Sequence, residues 1–277
     1  MSRKEKRTTV ICTVIIVVMA VIMIFPFFLV ILNSFKSMNE IGINVMAIPK
    51  EWRIGNYLNA LKRMNFFKSL QNTVIVTLIG NAGLILCASM TGYWLCRNRK
   101  GINGVIYFMF LSAMAIPFQA TMIPFVKVMN IFGLNGSLSG TAIAYWGMCC
   151  PTVIFLTEGT VKSIPIEMEE AASIDGCSKT GVYFRVVFPN LKNIVVTFTI
   201  MNVFYIWNDY LLPFLMLGVN KKSYTIQIAL KVFSGEYGVR WDYMLPGVVL
   251  AMIIPVIIFI FCQRMIIEGM VSGSVKG

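Results

Sequence analysis

Histidine is absent from the 277 residues. Without it the chain cannot build a Ser–His or Cys–His nucleophilic pair, and nearly every kind of zinc site is lost. Acid is also scarce: 12 Asp and Glu stand against 24 Lys and Arg, for a net charge of +12. Charged residues make up 13% of the chain and hydrophobic residues 57%, whereas soluble domains are about a quarter charged. That shortage excludes a soluble globular enzyme. No aromatic–basic RNA or DNA motif accompanies the positive charge, so it reads as headgroup contact and membrane topology, with no nucleic-acid partner. Residues 176–180 read G-C-S-K-T, but a phosphate-binding loop needs Gly directly before Lys, and Ser178 stands there. The chain therefore shows no means of hydrolysing a nucleotide by itself. The seven cysteines, Cys12, Cys87, Cys96, Cys149, Cys150, Cys177 and Cys262, lack metal-ligand spacing. They read as small apolar residues, as the 19 methionines read as adaptable packing. No catalytic residue, metal site or cofactor is expected.

Long apolar runs are what the chain has in abundance. Val10 to Leu32 is 23 residues without a charge, about 35 Å of helix at 1.5 Å per residue, enough to cross a bilayer. The run is too long for a signal peptide, and no small-x-small cleavage site follows it. The basic stretch R-K-E-K-R at residues 3–7 places the leading end in the cytoplasm. Further spans are read at Ser69–Cys96, Gly101–Val126, Leu138–Thr157, Leu191–Leu217 and Tyr243–Gln263. The third is interrupted by Pro117 and Pro124. Arg97, Arg99 and Lys100 crowd the short connection before it and mark that loop as inside. Six spans put both termini on the cytoplasmic side. Asn56 is expected to cap a short helix in the first outer loop, and G-S-L-S-G, from Gly136 to Gly140, fits a small-xxx-small helix contact. The expectation is an all-α polytopic membrane protein forming one domain over residues 1–277.

One polar insertion, Ser163 to Pro189, lies between the fourth and fifth spans and holds Glu167, Glu169, Glu170 and Asp175 within nine positions. Ser163 is expected to cap a helix that has Pro165 in its first turn and acids at the positive end of its dipole. Ala171 and Ala172 favour that helix. Gly176 is expected to end it, because glycine enters the left-handed conformation without a steric penalty. A second helix then starts near Ser178, carries Val182, Phe184, Val186 and Val187, and stops at Pro189.

The order Glu170-Ala171-Ala172, then Gly176, then Pro189 resembles the EAA loop of binding-protein-dependent ABC importers. Val186 and Phe188 depart mildly from the Ile and Leu usual there. The resemblance implies the type I ABC importer permease fold: six transmembrane helices with a cytoplasmic coupling-helix loop, here residues 161–190. It implies that Glu169, Glu170, Ala171, Ala172, Asp175, Gly176 and Pro189 couple the spans to a separate ATPase. The implied partners are a second homologous permease subunit, two cytoplasmic ABC ATPase subunits, an extracellular solute-binding protein and membrane lipid.

Residues 207–213, W-N-D-Y-L-L-P, resemble a run found in the maltose-type carbohydrate importer permeases, and the tail E-G-M-V-S-G-S-V-K-G at 268–277 is similar to theirs. An acid at the depth of Asp209 costs roughly 3 kcal/mol on insertion scales, so it faces protein or water. Trp207, Asn208, Asp209 and Tyr210 are accordingly candidates for the substrate path, with a helix break held by local hydrogen bonds as the alternative. The implied substrate is a carbohydrate. Another solute (a polyol, a phosphodiester or a peptide) or a non-transporting membrane scaffold stays open. An ion-driven transporter fits less well, since it favours several intramembrane acids and an internal repeat.

Overall fold

The computed structural model describes residues 3–218, 220–235 and 238–274, with side chains from Arg7 to Met265 within those ranges. The last three tail residues, and the side chains of residues 3–6 and 266–274, lie outside the described residues.

The first apolar run forms α1 (Arg3–Ser34). A capping box opens α2 (Met38–Ile43): the Ser37 hydroxyl accepts the Glu40 N–H, and the Glu40 carboxylate accepts the Ser37 N–H at 2.9 Å. Next comes α3 (Gly55–Arg63). The second run is continuous helix, α4 (Phe66–Gly83) and α5 (Ser89–Arg97) joined by a π-helical turn at Leu84–Ala88. The third is broken into α6 (Ile102–Ala113) and α7 (Phe118–Ile131), which meet at 117°. Pro117 causes the break, since it has no N–H to donate and pushes the preceding residue out of the helical region; Pro124 sits inside α7 without interrupting it. The fourth run is α8 (Leu138–Val161).

The polar insertion forms α9 (Ile166–Ile174), α10 (Lys179–Val182), a π-helical turn at Tyr183–Val187 and α11 (Phe188–Asn190). α12 (Lys192–Asn208) leaves it at a 77° bend, and α13 (Leu211–Leu217) follows a second break. α14 (Ile226–Leu230), a two-stranded ribbon of β1 (Ser234–Gly235) and β2 (Gly238–Val239), and α15 (Trp241–Ser274) complete the order. Among the described residues, α1, α4–α5, α8 and α15 can each cross a membrane by length and composition, and the two bent pairs raise the number to six if each is one span.

The chain divides into two compact units, Met1–Phe67 with Ala229–Ile254, and Lys68–Ile228 with Pro255–Gly277. In the first, Phe35 packs on Trp52 and Tyr57 at ring separations of 5.1 and 5.2 Å. Asn56 does not cap α3, which has no side-chain cap. Its amide turns to the end of α1 and donates to the Ser34 and Lys36 carbonyls at 3.1 and 2.9 Å. Helix ends leave carbonyls unpaired, and buried Asn56 satisfies that of Ser34 together with the Lys36 carbonyl of the turn that follows. The apolar window of α1 is wholly exposed, as suits a helix whose neighbours are lipid or another chain.

The second unit is built around α8. Gly92 of α5 sits so close to it that an added Cβ would stand 2.9 Å from the Thr157 Cβ. The Gly136–Gly140 pair makes no such helix contact. α8 begins only at Leu138, so Gly136 lies in the preceding turn at φ +79°, and Gly140 faces the Leu134 carbonyl of that turn.

Candidate functional site

Helix α9 stands on the surface of the second unit. Ser163 does not cap it: α8 runs to Val161, and the Ser163 hydroxyl closes that helix's last turn by donating to the Thr160 carbonyl at 2.8 Å. Pro165 therefore occupies the N-cap position. Gly176 ends the segment at φ +87°, with the Cys177 N–H reaching back to the Ala172 carbonyl at 3.0 Å, an arrangement that closes the exposed carbonyl end of a helix. The Ser178 hydroxyl accepts the Gly181 N–H at 3.2 Å and starts α10. Helix stops at Asn190, one residue past Pro189, where the chain bends by 77° into α12. The wider π-helical turn just before Pro189 shifts the hydrogen-bond ladder where the proline has no N–H to contribute.

The faces of α9 differ. Ala172 packs inward on the cluster of Val161, Ile164, Val182, Tyr183, Val187 and Leu191, and Glu169 is only 7% exposed. Glu167, Met168, Glu170, Ala171, Ile174 and Asp175 face out, with Ile174 86% exposed. Glu169 is held from α5. The Arg97 Nε and Nη2 donate to its Oε1 at 2.9 and 2.6 Å, and the Tyr93 hydroxyl donates to its Oε2 at 2.7 Å. Arg97 Nη2 also donates to the Ile164 carbonyl at 2.8 Å. A second cluster lies nearby on α8: Glu158, 2% exposed, takes Arg99 at 2.9 Å and Lys162 at 2.7 Å. The Arg99 guanidinium rests over the Tyr107 ring, 4.3 Å from its centroid. From sequence Arg97 and Arg99 are topology signals alone. Their partners are 72 and 59 residues away, beyond any local pattern.

The second arrangement lies at the end of α12. Asp209 leaves the helix with extended backbone, φ −75° and ψ 129°. Its Oδ1 accepts the Leu211 N–H and starts α13; its Oδ2 accepts the Tyr145 hydroxyl from α8, each at 2.9 Å. Of its sequence neighbours, Trp207 is buried, Asn208 is exposed and donates to the Phe204 carbonyl at 2.9 Å, and Tyr210 stacks on Phe214. The four residues 207–210 thus do not converge on one surface. Tyr145 meets Tyr205 edge to face, and Tyr205 lines a cavity of about 510 Å³ with Phe118, Gln119, Thr121, Phe125 and Thr152. Polar groups placed where α6 breaks into α7 had no signal in sequence beyond the two prolines. Among the described residues no group of His, Cys, Asp or Glu could hold a metal ion.

Long apolar helices, a short helix clamped to the surface, and an acid and a cavity at helix breaks give the chain the make-up of a multi-pass membrane protein. The chain belongs to the family of binding-protein-dependent transport system inner membrane components, whose model matches residues 84–268, a range that takes in both arrangements. It is a multi-pass membrane protein and a transport subunit, not an enzyme. Among its relatives, the "Probable starch degradation products transport system permease protein AmyC" of Thermoanaerobacterium thermosulfurigenes is 35% identical over 93% of both chains. The multiple sugar-binding transport system permease protein MsmG of Streptococcus mutans is 29% identical over the full length of both. The crystal structure of a bacterial ABC transporter that imports the acidic polysaccharide alginate contains a chain of the same fold, with a TM-score of 0.79 over 95% of this chain and 98% of that one, at 23% identity.

Proposed function

We propose that this chain is the permease subunit of an ATP-driven importer and passes a carbohydrate, a sugar or an oligosaccharide, across the cytoplasmic membrane. A second homologous permease completes the pathway, an extracellular binding protein delivers the solute, and two cytoplasmic ATPase subunits supply the energy. The segment 161–190 faces the cytoplasm together with both termini. The observation that carries the reading is the exposed outer face of α9, with Glu167, Glu170, Ala171 and Ile174 directed away from the unit in a chain with no nucleotide-binding loop of its own. Glu170 offers a charge to basic groups of an ATPase cleft, and Ala171 keeps that face flat. Glu169 is turned inward, so it acts by holding α9 in place. The cavity beside Tyr205 suits a polyhydroxylated solute: Phe118, Phe125 and Tyr205 present rings, and Gln119, Thr121 and Thr152 present donors and acceptors. Relatives named for the transport of starch degradation products and of multiple sugars favour carbohydrate over other solutes.

The test is purification of the tagged chain from its native membrane with whatever it carries, followed by reconstitution in liposomes. The expected outcome is co-purification of an ATPase and a second permease. With ATP on the ATPase side and a solute-loaded binding protein on the other, labelled oligosaccharide should accumulate. No associated ATPase, or accumulation indifferent to ATP, would overturn the assignment.

A further inference from the structure

We infer that Arg97 is the positioning residue that makes α9 move together with the second span, by joining Glu169 and the Ile164 carbonyl to the end of α5. This rests on the coupling role proposed for α9 and goes beyond it, since it names the contact through which the movement leaves that helix.

Apart from that contact, α9 is weakly held. It is nine residues long and bounded by Pro165 and by the left-handed turn at Gly176, so a pull on it meets a chain bend at each end. Of its side chains only Ala172 packs on the apolar cluster beneath it, and an alanine offers little to grip. The polar contact is of another kind. Both oxygens of the buried Glu169 carboxylate are taken by residues four apart on α5, Oε1 by Arg97 and Oε2 by Tyr93. Residues four apart lie on one face of a helix, so a single rigid surface holds the whole carboxylate. Arg97 adds a bond to the Ile164 carbonyl, just before α9 begins. A guanidinium presents its donors in a fixed plane, so this contact resists displacement as well as separation. Beyond α5 the connection continues: Gly92 lets that helix lie against Thr157 of α8, and Arg99, two residues past Arg97, pairs with Glu158 of α8. None of these residues lies on the outer face of α9, so loosening the clamp leaves the ATPase-facing surface chemically intact.

The experiment uses the full complex in liposomes and measures ATPase retention, ATP hydrolysis and labelled-oligosaccharide uptake together. For Arg97→Gln we expect the ATPase to be retained and hydrolysis to continue while uptake falls. ATP consumed per solute should then rise about tenfold, the size expected for loss of a charge-assisted hydrogen bond. Arg97→Lys keeps the charge without the planar fork and should lie between wild type and Arg97→Gln. Tyr93→Phe keeps the ring, removes one bond and should raise the ratio a few-fold, which covers the case in which Arg97→Gln fails to accumulate. A wild-type ratio in Tyr93→Phe and in every Arg97 variant that accumulates, or hydrolysis and uptake falling in equal proportion, would overturn the inference. Glu170→Lys distinguishes this from failure of the coupling role itself. If that variant releases the ATPase while the clamp variants keep a wild-type ratio, only the clamp is wrong. If it retains both ATPase and uptake, the coupling role fails first.

Discussion

Glu169 and Asp209 are two acids in the same compact unit, and they are held in opposite ways. Glu169 sits against a guanidinium that gives it two N–H donors, with a tyrosine on its other oxygen. Asp209 is met by a backbone N–H and a phenol. Hydrogen bonds in which one partner is ionised are roughly twice as strong as neutral ones, which covers both carboxylates, but Glu169 also faces an opposite charge in Arg97, and removing one partner of a buried ion pair is costly. The first contact is therefore stiff and joins α5 to α9. The second ends α12, starts α13 and ties that break to α8 through Tyr145. A coupling contact of the kind proposed for α9 needs the stiffness of the first.

That contrast can be broken most severely at Asp209. Asp209→Ala removes both bonds and should lower uptake strongly while the chain still inserts and assembles with its partners, as checked by uptake against the amount of complex recovered. A variant that fails to assemble, yet is rescued by an apolar change at a neighbouring position, would show that the carboxylate serves folding alone. Tyr145→Phe sharpens the comparison, because it deletes one bond and leaves the N–H bond to Leu211. It should cost about 1 kcal/mol of stability, read as a small drop in melting temperature, with partial loss of uptake.

The smallest effect is expected at a half-buried acid in the other unit. Glu40 accepts the Ser37 and Lys50 N–H groups and the Ser37 hydroxyl, and these bonds, the Ser37 N–H first, hold its pKa at about 2 against an ordinary 4.5. A lowered folded-state pKa means that the contribution is complete above the ordinary value and fades as pH falls from about 4.5 towards 2. The protection of the Met38–Ile43 amides, measured relative to their intrinsic exchange rates at each pH, should fall across that window, and Glu40→Gln should remove the dependence. An unchanged pH profile in Glu40→Gln would show that the capping box does not set the local stability.

Much of this arrangement was legible in the chain because it is local. The apolar runs, the turn at Gly176 and the cap at Ser178 follow from residues within a few positions of one another. Ser163 and Asn56 were read as caps for the helices that follow them, but Ser163 closes α8, the helix before it, and Asn56, inside α3, reaches back past α2 to the end of α1. A hydroxyl in a short connection can reach either end, and where the longer helix stops decides which. Pro189 was read as the stop of its helix, which ends one residue later at Asn190; the π-helical turn before it accommodates the proline's missing N–H. The clamp on Glu169 was not legible at all. It depends on α5 and α9 meeting across 72 residues of sequence, which only the folding of α5 against α8 brings about. Gly92, whose bare backbone permits that approach, gave no sign of it in sequence.

The central claim is that α9 joins this chain to an ATPase. The most direct measurement is ATPase retention together with oligosaccharide uptake for Glu170→Lys and Gly176→Asp in the purified complex. Glu170→Lys reverses a charge on the outward face. Gly176→Asp places a side chain at φ +87°, a conformation that costs a non-glycine residue about 1 kcal/mol or more, and so misaligns the helix. The account predicts that both variants reach the membrane, lose the ATPase and abolish uptake; wild-type retention and wild-type uptake in both would contradict it.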